Sequence, residues 1–188
     1  MKRRILALQL VGCGALAIAG CSKKEPDVTA SSEAAAIEPS NGSITDALDD
    51  ANGLQTTSEA IERTGIGGIF AGRGSYTLLA PTDDAFAKLG GPSKQLSESA
   101  DTAPLAALLK AHILPGYLTV ADINAAVVRS AGKAVKMRTM AGQELTFAKA
   151  GDALTVSTAE GVTARIVGEA VTGKSSIALP IDTVLKKL

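Results

Sequence analysis

One stretch near the C-terminal end of the sequence has the spacing of a nucleotide-phosphate loop. Residues 168–175, GEAVTGKS, match G-x-x-x-x-G-K-[ST], in which backbone N–H groups and the Lys hold phosphates while the hydroxyl group holds Mg²⁺. That chemistry needs a strand before the loop and a helix after it. Pro180 lies five residues beyond the stretch, and residues 177–181 have the composition of extended chain. We therefore predict a hairpin turn before the last strand, and no nucleotide binding.

Two other catalytic patterns fail in their surroundings. Ser130-x-x-Lys133 has the spacing of an acyl-enzyme nucleophile and its base, but Gly132 interrupts the helix that would align the two side chains. The Gly-rich run that begins at Gly65 lacks the third glycine of a dinucleotide-binding fingerprint, because Phe70 occupies that position. Neither pattern predicts an active site.

The sequence is also poor in groups for acid–base or metal chemistry. It contains one His, His112, and two Cys. The paired acids Asp49-Asp50 are explained by a helix surface, and Asp83-Asp84 by a helix N-terminus, where the helix dipole favours carboxylates. We predict no catalytic residue, no metal site, no bound cofactor and no enzymatic activity.

The stretch that most strongly specifies structure covers residues 76–86, YTLLAPTDDAF. Its apolar first part, residues 76–79, predicts a strand, and Pro81 is expected to end the hydrogen-bond ladder because it has no N–H group. Thr82 is expected to cap the following helix through its hydroxyl group. Phe86 lies on the buried face of that helix, which the Gly pair at 90–91 ends.

The rest of the sequence places helical patterns before strand patterns. Capping residues, terminal glycines and apolar residues at helical spacing predict helices that begin near Ser43, Thr57, Thr102 and Thr119 and end near Ala51, Thr64, Ala111 and Ala126. From Ala134 onward, apolar and polar residues alternate, with glycines at turn positions. Helices first and strands after, with one earlier strand, predict the α+β class.

Composition limits the possible partners. The 188 residues are 46% hydrophobic, which is enough for one domain with a tail, and the 3% aromatic content without Trp predicts an aliphatic core. The 19 basic residues balance 19 acidic ones, and no basic patch is present in the sequence. We therefore expect no nucleic-acid partner.

The first 20 residues have the composition of a lipoprotein signal peptide. Cations at positions 2–4 precede an apolar run over residues 5–18, shorter than the about 20 residues of a membrane span. Residues 18–21, IAGC, resemble the bacterial lipobox, in which the Cys is acylated and becomes the new N-terminus. Cleavage before Cys21 would leave 16 basic and 19 acidic residues, a net charge of −3, and no second Cys for a disulfide.

Residues 21–42 are predicted to form a lipidated flexible tether, because Ser, Ala, Glu and Pro dominate them without an apolar period. A random coil of this length would hold the domain about 25 Å from the bilayer. Ser22 follows the Cys in place of the Asp that retains enterobacterial lipoproteins in the inner membrane. We therefore predict an exported protein, lipid-anchored in the outer membrane if the organism is Gram-negative. The predicted parts are the signal peptide over 1–20, the tether over 21–42 and a domain over 43–188.

Four segments of the sequence resemble, in order, the landmarks of the fasciclin domain. Residues 76–86 resemble its first motif, T-x-F-x-P-T-x-x-A-F; residues 108–116, LLKAHILPG, its central His segment; residues 139–147, TMAGQELTF, its T-x-x-G hairpin; and residues 181–185, IDTVL, its closing strand. With these four landmarks in order, the resemblance covers about residues 44–188. The resemblance implies a bacterial lipoprotein with a single fasciclin domain, whose helices cluster around a twisted β-sheet or β-wedge.

The resemblance gives His112 two interpretations. In animal members a Tyr-His pair in this segment is implicated in integrin binding, but Ala111 stands before the His here. The alternative, which we favour, is that the ring bonds the neighbouring backbone and holds the turn from helix to strand. His112, Ile113 and Leu114 together form the candidate interaction or structural site.

The resemblance also implies a function in binding. We expect a cell-envelope module for adhesion, or for protein or glycan interaction, at the surface or in the periplasm. Its partners would be an unknown protein or glycan and, through the lipid on Cys21, the membrane. The alternative is a carrier of an apolar small ligand such as a carotenoid or lipid, which some fasciclin-like proteins bind and which the apolar segment Ile113-Leu114-Pro115 permits.

Overall fold

The computed structural model describes residues 41–186, and within them it has the α+β class that the sequence predicts. The predicted signal peptide, the acylated Cys21 and the tether up to residue 40 lie outside the described residues. Among residues 41–186, no helix is both long enough and apolar enough to cross a membrane.

Helices dominate the first half of the described chain and strands the second. The helices are α1 (Ile44–Asp49), α2 (Gln55–Thr64), α3 (Asp83–Ala87), α4 (Gly91–Glu98), α5 (Ala103–Ala111) and α6 (Val120–Arg129), with a 3₁₀ turn at Ile66–Ile69. The strands are β1 (Tyr76–Pro81), β2 (Ile113–Pro115), β3 (Val135–Arg138), β4 (Glu144–Ala150), β5 (Ala153–Thr158), β6 (Thr163–Arg165), β7 (Val171–Thr172) and β8 (Ser176–Ile181).

The strands form two four-stranded sheets. The first has the order β2-β1-β8-β7, in which β1 and β8 are parallel and both outer strands are antiparallel to their neighbours. The second is an antiparallel meander in the order β3-β4-β5-β6. The first sheet therefore brings the end of the chain beside its first strand, and the second is built only from hairpin neighbours.

Both faces of the first sheet are covered, which explains why its two central strands read as unbroken apolar runs. In β1, Leu78 packs with residues of α1, α2 and α5, whereas Leu79 packs with residues of α6 and the second sheet. In β8, Ala178 likewise packs on the side of α1, α2 and α5, and Leu179 packs on the side of α6 and the second sheet. The second sheet alternates instead, with Phe147 buried and one face left open to solvent, as the period of two predicts.

The corner between β1 and α3 confirms the predicted cap but not the predicted end of the ladder. The Thr82 hydroxyl accepts a hydrogen bond from the Ala85 N–H at 3.2 Å. β1 pairs with β8 as far as Pro81, and the Thr82 N–H donates to the carbonyl oxygen of Ile181 at 3.0 Å. The prediction that Pro81 ends the ladder is wrong because successive N–H groups point to opposite sides of a strand. The missing donor faces the β2 side, where pairing stops at Leu78.

Two helix starts differ in how completely they follow the prediction. Thr119 and Asp122 form a full capping box, and α6 runs three residues beyond its predicted end. At the start of α5, the Asp101 side chain accepts from the Ala103 N–H at 2.9 Å, while the Thr102 side chain makes no capping bond. A neighbouring carboxylate therefore supplies the cap that the sequence assigns to a hydroxyl.

Helix α4 is not predicted from the sequence, which reads the Gly pair at 90–91 only as the end of α3. Gly90 has φ 63° and ψ −127°, a conformation that glycine adopts without strain, and the chain reverses there. Pro92 then lies in the first turn of α4, where its missing N–H group costs nothing. α3 already ends at Ala87, with Lys88 as its C-cap, so the Gly pair begins α4 and the prediction that it ends α3 is wrong.

The closing segment is a strand only in part. β8 ends at Ile181, so the strand predicted over residues 181–185 is wrong beyond its first residue. Val184 and Leu185 are nevertheless buried, at 2% and 0% exposure, in irregular chain that follows the strand. Their burial places the segment that follows β8 against the core.

Candidate functional site

His112 lies at the junction where α5 ends and β2 begins, and it is fully buried. Its Nδ1 is 2.8 Å from the carbonyl oxygen of Leu108, one turn back in α5. Its Nε2 accepts from the N–H of Leu185 at 2.9 Å. A carbonyl only accepts and an N–H only donates, so these two partners fix the proton on Nδ1. The ring therefore joins the end of α5 to the C-terminal segment.

The surroundings of His112 keep the ring neutral. The pKa of His112 is lowered from 6.5 to about 4. Burial is the largest cause; the hydrogen bond to Leu108 opposes it, and the charge of nearby Lys186 adds a smaller lowering. Both nitrogens are used by backbone groups, so neither is free to bind a metal or to exchange a proton with a substrate. This geometry is the one that the structural interpretation of His112 requires.

Ile113 and Leu114 follow the ring into β2, and both have 0% exposure. Ile113 packs on the helix side of the first sheet, and Leu114 packs on the side that faces the second sheet. The sequence predicts these residues next to His112, and the structure places them in two different parts of the core. Neither presents a side chain to a partner in this conformation.

The stretch with phosphate-loop spacing forms the hairpin turn that the sequence predicts. Thr172 ends β7, β8 begins at Ser176, and the Gly173 N–H donates to the Ser176 carbonyl oxygen at 2.8 Å. A strand thus follows where a phosphate loop requires a helix. The Lys174 side chain is exposed at the tip of this turn.

The Ser130 and Asp83 side chains are both engaged with backbone groups. The Ser130 hydroxyl donates to the Val127 carbonyl oxygen at 2.7 Å and also bonds the carbonyl of Lys133, just after α6 has ended. Asp83 accepts from the Thr56 N–H at 2.8 Å and ties α3 to α2. Their polar atoms hold turns and helix ends.

An acidic cleft lies beside the corner between β1 and α3. It has a volume of about 830 Å³, and its charged lining residues are Asp50, Asp83, Asp84, Lys88, Glu169 and Asp182. Lys88 donates to the Asp182 carbonyl oxygen at 2.8 Å, and the Asp182 carboxylate accepts from the Arg165 N–H at 2.8 Å. Among residues 41–186, no group of three or more metal-binding side chains is arranged to hold an ion.

A second cleft, with basic residues, was missed by the sequence analysis. It has a volume of about 560 Å³ and is lined by the start of α1, the loop after the 3₁₀ turn and the β7–β8 turn. Arg73 comes from the loop, and Lys174, Ser175 and Ser176 come from the β7–β8 turn. The sequence GKS at residues 173–175 indicates Lys174 and Ser175 as candidates. The cleft also requires Arg73, about 100 residues earlier, and no sequence pattern shows that these residues meet.

Comparison with known proteins identifies the domain type. The model of the family "Fasciclin domain" matches residues 52–187. Among solved structures, a FAS1 domain pair from the insect cell adhesion molecule fasciclin I is similar at 21% sequence identity and a TM-score of 0.46. The match covers 76% of this chain and 43% of that one, so this chain spans less than half the length of the insect structure.

Proposed function

This chain belongs to the fasciclin domain family. From that membership, together with the lipobox-like residues 18–21, we propose that it is a lipid-anchored binding module of the bacterial cell envelope. Fasciclin domains occur in adhesion and binding modules, so the proposed activity is adhesion to a protein or glycan at the surface or in the periplasm. The family match over residues 52–187 is the observation that carries this proposal. A shared domain alone does not fix the partner.

The polar residues that the structure describes support a binding role more than a catalytic one. His112 is the one buried ionisable side chain among residues 41–186, and backbone groups occupy both of its ring nitrogens. The Ser130 hydroxyl and the Asp83 carboxylate are held by backbone groups as well. None of the three is paired with a second group that would activate it for covalent or acid–base chemistry.

The carrier alternative has less support from the described residues. The cavity beside Phe86, Leu96 and Leu105 has a volume of about 60 Å³. Sites for small organic ligands are about 300–1,000 Å³, so this cavity is too small for a carotenoid or lipid. The Ile113-Leu114 pair is enclosed by the core.

We expect the lipid on Cys21 to determine where the module acts. Replacing this residue, Cys21→Ser, removes the acylated thiol, and the domain should move from the membrane fraction to the soluble fraction because anchoring without acyl chains is weak. Immunoblots of fractionated cells measure this change, and mass spectrometry of the native N-terminus should find acylated Cys21. An unmodified Cys21, or a chain that starts elsewhere, would contradict the anchor. The matched control Ser22→Ala should stay in the membrane fraction.

Adhesion can be tested on cells that express the full chain. We expect such cells to bind a surface coated with envelope extract several-fold better than cells without the protein. Cells with Cys21→Ser should bind no better than cells without the protein, because the released domain no longer links the cell to the surface. Equal binding by all three strains would rule out adhesion at the cell surface. A visible absorption band in the purified native protein would instead favour the carrier of a pigment.

A further inference from the structure

The basic cleft lies between the first helix and the last hairpin. The Lys174 N–H donates to the Gly42 carbonyl oxygen at 2.9 Å, which fixes the β7–β8 turn against the chain that enters α1. Gly173 approaches α1 so closely that a Cβ atom there would lie 2.7 Å from the Ile44 nitrogen. Only glycine permits this contact, so the β7–β8 turn packs directly on the start of α1.

The charged residues that line the cleft are all basic. Arg73 and Lys174 line it, and no Asp or Glu is among its lining residues. Within residues 41–186, neither cation forms an ion pair or a side-chain hydrogen bond, whereas Lys136 pairs with Glu144 at 2.8 Å. Two unneutralised cations that face one cleft favour an anion there.

A buried hydroxyl group adds a donor to the same cleft. Ser176 lines it at 1% exposure, and its Oγ has no hydrogen-bond partner among the described residues. A buried hydroxyl without a partner is costly, so native proteins rarely keep one without a reason. A ligand oxygen would satisfy it. Ser175, half-buried beside it, offers a second hydroxyl.

We propose that this cleft binds a phosphate ester group carried by a larger polar molecule. The Arg73 guanidinium can hold two oxygens of a tetrahedral anion, Lys174 adds a point charge, and the Ser176 hydroxyl donates to a third oxygen. The volume of about 560 Å³ lies in the range of sites for small organic ligands, so it accommodates the remainder of the ligand as well as the anion. A sugar phosphate and a glycerophosphate share this chemistry. The inference goes beyond the adhesion role and does not depend on it.

Calorimetric titration of the full-length protein, in neutral detergent at low ionic strength, tests the cleft. The ligands are glucose 6-phosphate, glycerol 3-phosphate and uncharged glucose. We expect at least one ester to bind and glucose not to bind. The ester that binds more tightly shows whether the phosphate group belongs to a sugar or to glycerol. Failure of both esters to bind at millimolar concentration, or equal binding of glucose, would overturn the proposal. Either result leaves the adhesion assay unaffected, so the two proposals fail separately.

Variants of the cleft residues locate the binding. Arg73→Gln and Lys174→Gln should each weaken ester binding about tenfold, as loss of a charge-assisted hydrogen bond does. Lys149→Gln, the same change at an exposed position on β4, should leave the affinity unchanged. Ser176→Ala should weaken binding several-fold without lowering the melting temperature, because its hydroxyl supports no other described group. Equal effects of Lys149→Gln and Lys174→Gln, or a lower melting temperature with unchanged affinity in Ser176→Ala, would contradict the site.

Discussion

Replacing His112 with Ala is expected to lower the free energy of unfolding at pH 7 by about 2–4 kcal/mol. The change leaves the buried N–H of Leu185 without its acceptor, which costs about 1–3 kcal/mol, and opens a cavity where the ring was. It also removes the donor to the Leu108 carbonyl oxygen. Denaturant melts of the purified variant measure the loss. His112→Gln, whose amide keeps one donor and one acceptor, should lose less.

The same ring gives the domain a pH-dependent stability. Burial lowers the pKa of His112 to about 4 in the folded state, against 6.5 in the unfolded chain. Well above pH 6.5 both states are neutral and the stability is complete. As the pH falls through 6.5, only the unfolded state gains a proton, so stability falls until the folded pKa is reached. From pH 7.5 to pH 5 we expect a loss of about 2 kcal/mol, because the slope approaches 1.36 kcal/mol per pH unit only well below pH 6.5.

A variant without the ring separates this effect from the titration of carboxylates. Asp122 and Glu144 have lowered pKa values because Thr119 and Lys136, respectively, bond their charged forms. Their contributions are lost as pH falls through and below the ordinary carboxylate range, which lies under the window of His112. His112→Ala should therefore show a nearly flat stability between pH 6.5 and pH 5. Normal stability of His112→Ala, together with abolished partner binding, would instead support the interaction interpretation of this residue.

The parts of the fold that were predicted correctly depend on residues close together in sequence. The cap at Thr82, the capping box of Thr119 and Asp122, and the hairpins after residue 134 each need contacts within a few residues, so local preference decides them. The one error at the corner between β1 and α3 has the opposite origin, because it depends on contacts between residues far apart in sequence. Pro81 ends the ladder only on the side where β2 has already stopped, and that depends on which strands pair with β1.

The sites depend on partners that local preference cannot select. Leu185 lies 73 residues from His112, so the acceptor role of Nε2 becomes visible only when β8 has paired in parallel with β1. The basic cleft likewise needs Arg73 to meet Lys174, from two different loops. Sequence patterns indicate which residues have unusual chemistry, but the pairing of the first and last strands decides which of them meet.

Replacing Phe86 with Ala is expected to cost about 3–5 kcal/mol, a large share of the about 5–15 kcal/mol that stabilise a domain. Phe86 is 5% exposed and packs in a small cluster with Leu108 of α5 and Val184 of the closing segment. Truncation to Ala removes most of the aromatic contacts that hold those two segments together. Denaturant melts measure the loss, and Leu89→Ala, at a partly buried position just after α3, should lose less. A nearly neutral Phe86→Ala would mean that this cluster does not stabilise the fold.

Phe86 and His112 should be energetically coupled, because both join the end of α5 to the closing segment. The ring of His112 bonds the backbone of Leu108 and Leu185, while Phe86 packs on the side chains of Leu108 and Val184. A double-mutant cycle with the milder changes Phe86→Leu and His112→Gln keeps the domain folded, and we expect an interaction energy of about 0.5–3 kcal/mol. After one substitution has weakened the packing of the two segments, the second substitution removes a weaker contact. The double variant should therefore lose less stability than the sum of the two single losses. The same cycle between His112→Gln and Ile61→Val, in the cluster around α2, should be additive to within about 0.5 kcal/mol. Additivity of the Phe86 pair as well would show that the two contacts stabilise the segments independently.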